Sequence, residues 1–146
     1  MAFPYKTILC PVDFDDNSLM ALDKAVELAH QFDGKVLLLH VLPIVITIGE
    51  IPPPRVMYED QEKAARAKLE DITQAKLGGV EHQSLLYVGD IISTILEVQE
   101  KYHPDLLVIA THGRKGLKRL VLGSVAEAIV RKATCPVLTI REDAHS

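Results

Sequence analysis

Residues 106–133 read LLVIATHGRKGLKRLVLGSVAEAIVRKA, and this stretch decides the fold. An apolar run that begins at residue 106 predicts a buried strand, and the apolar positions of 125–133 recur with helical spacing. Between them lie Gly113, Gly123, the hydroxyl of Ser124, and four cations within residues 114–119. A strand, a glycine loop and a helix N-terminus form an anion cradle, because free backbone N–H groups and the helix dipole attract phosphate.

The composition is that of a soluble globular protein, and its 146 residues predict a single domain over 1–146. The net charge of −4 argues against a general nucleic-acid-binding protein. There is no apolar run of about 18 residues and no signal-peptide pattern, so we expect a cytoplasmic protein with no membrane partner. Cys10 and Cys135 lie in apolar runs without zinc spacing, and are expected to be buried thiols.

Apolar runs alternate with helical patterns along the whole chain. Strands are predicted at 6–12, 35–41, 82–88, 106–111 and 137–141. Helices are predicted at 18–32 and 58–77, then after a cap at Asp90, and after a capping box from Ser124 to Glu127. This order predicts an α/β fold, a doubly wound five-stranded parallel sheet with helices on both faces. The proline-rich segment 42–55 cannot be regular helix and is predicted as a loop over the carboxyl edge of the sheet.

The first strand ends in Pro11-Val12-Asp13, at an edge where doubly wound sheets bind ligands. The carboxylate of Asp13 can accept hydrogen bonds from ribose hydroxyls or an adenine amine. We interpret the next acidic residues, Asp15 and Asp16, as turn and cap residues. His112 is a second candidate, since a histidine at a strand end can contact phosphate.

The sequence lacks the motifs of several other nucleotide-binding and catalytic sites. The chain has no P-loop motif, no dinucleotide G-x-G-x-x-G after the first strand, and no G-x-S-x-G elbow. The acidic cluster after the first strand leaves a response-regulator-like receiver as an alternative. However, the third strand ends in Tyr87-Val88-Gly89 rather than in an aspartate, and the fifth ends at Arg141 rather than at a lysine.

Together these segments resemble the universal stress protein family in its small single-domain form. The resemblance rests on KTILCPVDF at 6–14, His40-Val41, Gly89-Asp90, DLLVIATHG at 105–113 and LGSVAEAIVRKATCPVL at 122–138. Nucleotide-binding members carry G-x2-G-x9-G-[ST]. Here Gly113, nine residues, Gly123 and Ser124 match this motif, whereas Ala110 replaces its first glycine and adds a methyl group close to the expected ribose and phosphates.

The resemblance implies strand order 3-2-1-4-5, ATP or AMP as ligand, with Mg²⁺ as a further option, and a homodimer formed through the last strand. Asp13 would hold the ribose or base, Val41 the adenine, and the glycine loop the phosphates. The candidate nucleotide-binding residues are Pro11, Val12, Asp13, Val41, Ala110, His112, Gly113, Arg114, Gly123, Ser124 and Val125.

We therefore predict a stress-response module that binds an adenine nucleotide and signals rather than catalyses. A slow ATPase remains an alternative, although no positioned general base is evident in the glycine loop. A dimeric scaffold that does not bind nucleotides is a further alternative, because Ala110 replaces the first glycine of the motif.

Overall fold

Five strands and four helices alternate along the chain in a computed structural model, which describes residues 4–44, 55–111 and 122–141. The elements in chain order are β1 Thr7–Pro11, α1 Asp16–Phe32, β2 Lys35–Leu42, α2 Arg55–Lys76, β3 Glu81–Val88, α3 Ile91–Tyr102, β4 Leu106–Ala110, α4 Ser124–Lys132 and β5 Val137–Ile140. The predicted strands are confirmed to within about one residue at each end, and α2 begins one turn earlier than predicted, directly after the proline run.

All strand pairs are parallel, and the sheet has the order β3-β2-β1-β4-β5. The predicted α/β class, strand order and two-sided helical cover are thereby confirmed. β1 is central, with β2 on one side and β4 on the other. The chain reverses its direction of progress across the sheet between β3 and β4, so the carboxyl ends of β1 and β4 flank the crevice where such sheets bind ligands.

Each face of the sheet has its own apolar cluster. Alternate strand residues point to opposite faces. Ile8, Cys10, Val36, Leu38, Val108 and Ala110 pack with α1 and α2, and this set is called the α1–α2 cluster below. Leu9, Leu37, Leu39, Val41, Leu107 and Ile109 pack with α3 and α4 as the α3–α4 cluster.

Helix ends follow from local side chains and backbone angles. Asp15 caps α1 and Asp90 caps α3, each by accepting a hydrogen bond from a serine N–H three residues on. α1 ends at Asp33, which has left-handed φ of 53°. Gly34 follows, and a Cβ there would lie 2.9 Å from the Tyr5 carbonyl oxygen, so the close approach of two backbones requires glycine at this turn.

Two expectations are corrected. Ser124 does not cap α4: the N-cap is Gly123, with extended φ of −62° and ψ of 158°, and no side chain in the described segments caps the helix. The box from Ser124 to Glu127 is therefore absent, because Ser124 already has helical backbone as the first residue of α4. Cys10 is fully buried as expected, but Cys135 lies before β5 and is only partly buried. Among the described residues, no helix is long and apolar enough to cross a membrane.

Candidate functional site

The turn after β1 presents Asp13 at the carboxyl edge of the sheet. Its N–H donates to Ser18 Oγ at 3.1 Å, and its Oδ1 accepts from the Asp15 N–H at 3.2 Å. Asp15 Oδ1 accepts in turn from the Ser18 N–H at 2.9 Å. A carboxylate offers about four lone-pair sites, so Asp13 is fixed by the turn and retains capacity for a further donor.

The neighbouring carboxyl of Asp15 is electrostatically disfavoured in its charged form. Partial burial raises the pKa of Asp15 and Asp13 adds to this, whereas the hydrogen bond from the Ser18 N–H opposes it. Asp15 Oδ2 is buried and has no hydrogen-bond partner among the residues that the structure describes. The predicted role of Asp15 as a turn and cap residue is confirmed, and two adjacent carboxyl groups make this edge locally acidic.

The start of α4 is tied to the end of β4. The Gly123 N–H donates to the Thr111 carbonyl oxygen at 2.7 Å, and the Thr111 N–H donates to Ile140 on β5 at 2.9 Å. The first intrahelical bond of α4 runs from Glu127 N–H to Gly123 oxygen at 2.9 Å. The N–H groups of residues 124–126 therefore have no acceptor within their own helix, which is the arrangement that favours an anion.

Gly123 is buried, yet its backbone lies in a region that any residue can adopt. Its φ and ψ therefore do not require glycine. A glycine here puts no side chain between the backbone at the helix start and an approaching ligand. Ser124 is exposed at this same end, with its hydroxyl not used in capping.

The structure divides the predicted site residues between the two faces of the sheet. Val41 is 7% exposed and belongs to the α3–α4 cluster, against which Val125 also packs, so these two lie on the face that carries α4. Val12 and Ala110 belong to the α1–α2 cluster. Since their side chains are core groups on the other face, any ligand contact from these two would come from their backbone.

Pro11 is buried as the last residue of β1, next to Leu39 of β2 in the register. The remaining predicted residues, His112, Gly113 and Arg114, lie outside the described residues.

One group at this edge was not singled out from the sequence. His40 is 8% exposed, and its ring lies against Phe14, with the ring centroids 4.1 Å apart and an angle of 30° between the planes. His40 Nδ1 is 2.8 Å from the Val12 carbonyl oxygen, and Lys68 Nζ lies 5.4 Å from the centre of the Phe14 ring. The sequence does offer one indication of this contact, since His40 is a polar residue in the otherwise apolar second half of β2. A buried polar side chain needs a hydrogen-bond partner.

Burial is the main cause that lowers the pKa of His40. The hydrogen bond with Val12 and the Asp13 carboxylate act in the opposite direction, whereas the Lys68 ammonium lowers the pKa further. The lowered pKa favours the neutral ring, and a neutral ring that donates from Nδ1 to a carbonyl keeps the lone pair on Nε2.

A cavity of about 230 Å³ lies at the opposite, amino edge of the sheet, where α1 ends and β3 begins. Its lining includes His30, Asp33 and Glu81. This cavity shares no residue with the edge that carries Asp13 and Gly123. Within the described parts of the chain, no three His, Cys, Asp or Glu side chains form a group that could hold a metal ion.

Comparisons with known proteins agree with this geometry. The model of the universal stress protein family matches residues 4–141. Universal stress protein MJ0531 of Methanocaldococcus jannaschii is 33% identical over 145 residues, covering 94% of this chain and 83% of the relative. The solved structure of the protein MJ0577 superposes with a TM-score of 0.80 at 25% identity, covering 96% of this chain and 98% of that one.

A universal stress protein family protein from Arabidopsis thaliana, solved with AMP bound, has the same fold with a TM-score of 0.62. It is 21% identical and covers 97% of this chain and 94% of its own. The family match over nearly the whole chain, the relative and the sheet order agree. This chain belongs to the universal stress protein family.

Proposed function

We propose that this chain binds an adenine nucleotide, ATP or AMP, at the carboxyl edge of its sheet. One observation carries the proposal: the start of α4 is joined to the end of β4, next to β1 and the Asp13 turn that follows it. This helix start has no side chain at Gly123, and three of its N–H groups are not used within the helix. Phosphate would lie at the helix start, where the dipole and the N–H groups favour negative charge. Ribose hydroxyls would donate to Asp13.

The residues present fit both the ribose and the phosphates of such a ligand. Asp13 is fixed by its turn and keeps acceptor capacity. The φ and ψ of Gly123 would suit any residue, and a glycine there lets a phosphate approach its backbone closely. Val41 shares a cluster with Ile129 of α4, so its side chain lies on the face of the sheet that carries α4.

Ala110 does not oppose this proposal. Its methyl group is 9% exposed and packs in the α1–α2 cluster, whereas α4 covers the other face. A methyl group directed into that core need not occupy the volume of a ribose or phosphate at the helix start. The AMP bound to the Arabidopsis relative, whose fold is the same, further supports an adenine nucleotide as ligand.

The module is proposed to be a single-domain homodimer that works in the cytoplasm as a stress-response binding protein. β5 is an edge strand of four residues, and Leu138 on it is 36% exposed. Unpaired backbone groups on such an edge favour pairing with another strand, and an antiparallel copy satisfies two-fold symmetry with one surface. When nucleotide is bound, Mg²⁺ would be held through its phosphates, neutralising their charge.

Ser124 gives a specific test, because its hydroxyl is exposed and does not cap α4. Ser124→Ala should change the stability of the nucleotide-free protein by less than about 0.5 kcal/mol. If the hydroxyl donates to a charged phosphate, ATP affinity should fall roughly 10- to 150-fold. Calorimetric titration with ATP beside a thermal melt measures both quantities.

Ser93→Ala is the matched control, since Ser93 is also an exposed serine in a first helical turn, that of α3. Its ATP affinity should equal that of the wild type. If Ser124→Ala and Ser93→Ala bind ATP equally well, phosphate does not lie at the start of α4 and the proposal is wrong.

A further inference from the structure

His40 contacts the residues on both sides of the proposed ribose ligand Asp13. Its Nδ1 lies 2.8 Å from the carbonyl oxygen of Val12, which precedes Asp13. Its ring stacks on Phe14, which follows Asp13, at a centroid distance of 4.1 Å. His40 is on β2 and Asp13 lies two residues after the end of β1, so the contacts join the two strands at the carboxyl edge.

The second contact bears on backbone strain. Phe14 has φ of 70°, a left-handed conformation that is unusual for a bulky residue. Such a conformation is energetically unfavourable for a residue with a side chain and persists only where the surroundings enforce it. Two neighbours contact the Phe14 ring and favour this conformation: the His40 ring, and the Lys68 ammonium, whose Nζ lies 5.4 Å from the centre of the Phe14 ring.

The left-handed residue also reverses the chain so that Asp15 can cap α1. The Asp13 carboxylate accepts the Asp15 N–H only when the chain turns at Phe14, and the Asp13 N–H reaches Ser18 Oγ in the same turn. The position of the Asp13 carboxylate thus depends on this turn, and the His40 side chain contacts the residues before and after Asp13, Val12 and Phe14.

We propose that His40 is a positioning residue for the nucleotide site, holding Val12 through its Nδ1–H and Phe14 through its ring so that the Asp13 carboxylate is fixed before the ligand arrives. This inference rests on the proposed function for its effect on affinity. His40 itself lies on the α1–α2 side by strand alternation from Val41, so it acts through the turn rather than on the nucleotide.

Three variants separate the two contacts. His40→Asn keeps a donor at the position of Nδ1 and lacks the ring; His40→Phe keeps a ring and lacks the donor; His40→Leu lacks both. His82 provides an exposed control at the far end of the sheet, because its Nδ1 also lies 2.8 Å from a main-chain oxygen, that of Val80.

Two readouts are measured on folded protein: ATP affinity by calorimetry, and amide hydrogen exchange of Asp13 and Asp15 by NMR. His40→Leu should weaken ATP binding roughly three- to tenfold, the effect expected from losing one buried hydrogen bond. It should also speed exchange at Asp13 and Asp15 more than at the core amide of Leu37. His40→Asn and His40→Phe should each restore part of both losses, and His82→Leu should change neither readout.

Equal ATP affinity in wild type and His40→Leu would overturn the proposal, as would exchange that rises uniformly over the whole sheet. If His40→Leu does not fold, His40→Asn and His40→Phe decide, since each keeps one contact. If the wild type binds no ATP, the proposed function fails, and the exchange readout alone decides: faster exchange confined to Asp13 and Asp15 supports the positioning role, and unchanged exchange refutes it.

Discussion

Ala110→Gly restores the glycine of the family's nucleotide-binding motif, and the structure predicts what that change does. The Ala110 methyl is 9% exposed and packs in the α1–α2 cluster, away from the face that carries α4. Removing a buried methyl group costs about 0.8 kcal/mol, and glycine inside a strand costs a further 0.5–1 kcal/mol or so relative to alanine. We therefore expect a loss of about 1–2 kcal/mol in unfolding free energy, with ATP affinity within about twofold of the wild type.

The assay pairs a thermal melt of the nucleotide-free protein with calorimetric titration by ATP. For a chain of this size the loss corresponds to a melting temperature lower by roughly 3–6 °C. Ala25→Gly is the control, since Ala25 is fully buried in the same cluster but on α1, and it should be destabilised without a change in affinity. If Ala110→Gly binds ATP more than about tenfold better, with stability unchanged, the methyl group does crowd the ligand and our placement of it is wrong.

Further predictions concern turns, charge, assembly and turnover. Gly34→Ala should lose about 1–3 kcal/mol because its Cβ would meet main-chain oxygen, whereas Gly78→Ala, with open space around it, should be neutral or slightly stabilising in denaturant titrations. Asp15→Asn keeps the cap of α1 and removes a charge that burial disfavours. Because the pKa of Asp15 is raised in the folded protein, the stabilisation from its protonation is present at low pH and is lost as the pH rises through that pKa, so the variant should be as stable as the wild type, or more stable, at pH 7. Asp15→Ala, which removes the cap, should lose about 1 kcal/mol. Leu138→Lys should give a monomer in light scattering, whereas Val88→Lys, on the other edge strand, should remain dimeric; a monomeric wild type would contradict the interface. ATP hydrolysis should be absent or far below about 10 per second, and a rate near that value would identify an enzyme.

Much of the fold could be predicted because apolar periodicity and helix signals are local. The continuous apolar run of β4 and the stop at Asp33-Gly34 each depend on a few neighbouring residues. The predicted N-cap of α4 was wrong by one residue, because serine is preferred over glycine at N-cap positions. In the structure Gly123 is the extended residue before the helix, and its N–H donates to the Thr111 carbonyl oxygen. That hydrogen bond joins the end of β4 to the start of α4, so the residues next to Gly123 in the sequence do not reveal it.

For the same reason only part of the geometry around the candidate site could be predicted, and the binding role of its residues stays a prediction. Asp13 could be placed near a strand end, two residues after β1, and Ser124 at a helix start. The direction of the Ala110 methyl group depends on which face of the sheet α1 covers, and the left-handed φ of Phe14 is unexpected for a bulky side chain. Both arise from packing between distant elements, as does the contact of His40 with Val12.

The central claim, that an adenine nucleotide binds at the edge formed by Asp13 and the start of α4, is tested most directly by one calorimetric titration. Nucleotide-free protein is titrated with ATP in the presence of Mg²⁺, and the number of molecules bound per chain is measured. The account predicts saturable binding with one nucleotide per chain. An absence of binding with ATP raised to about 1 mM, where only interactions weaker than roughly −4 kcal/mol would escape detection, would contradict it.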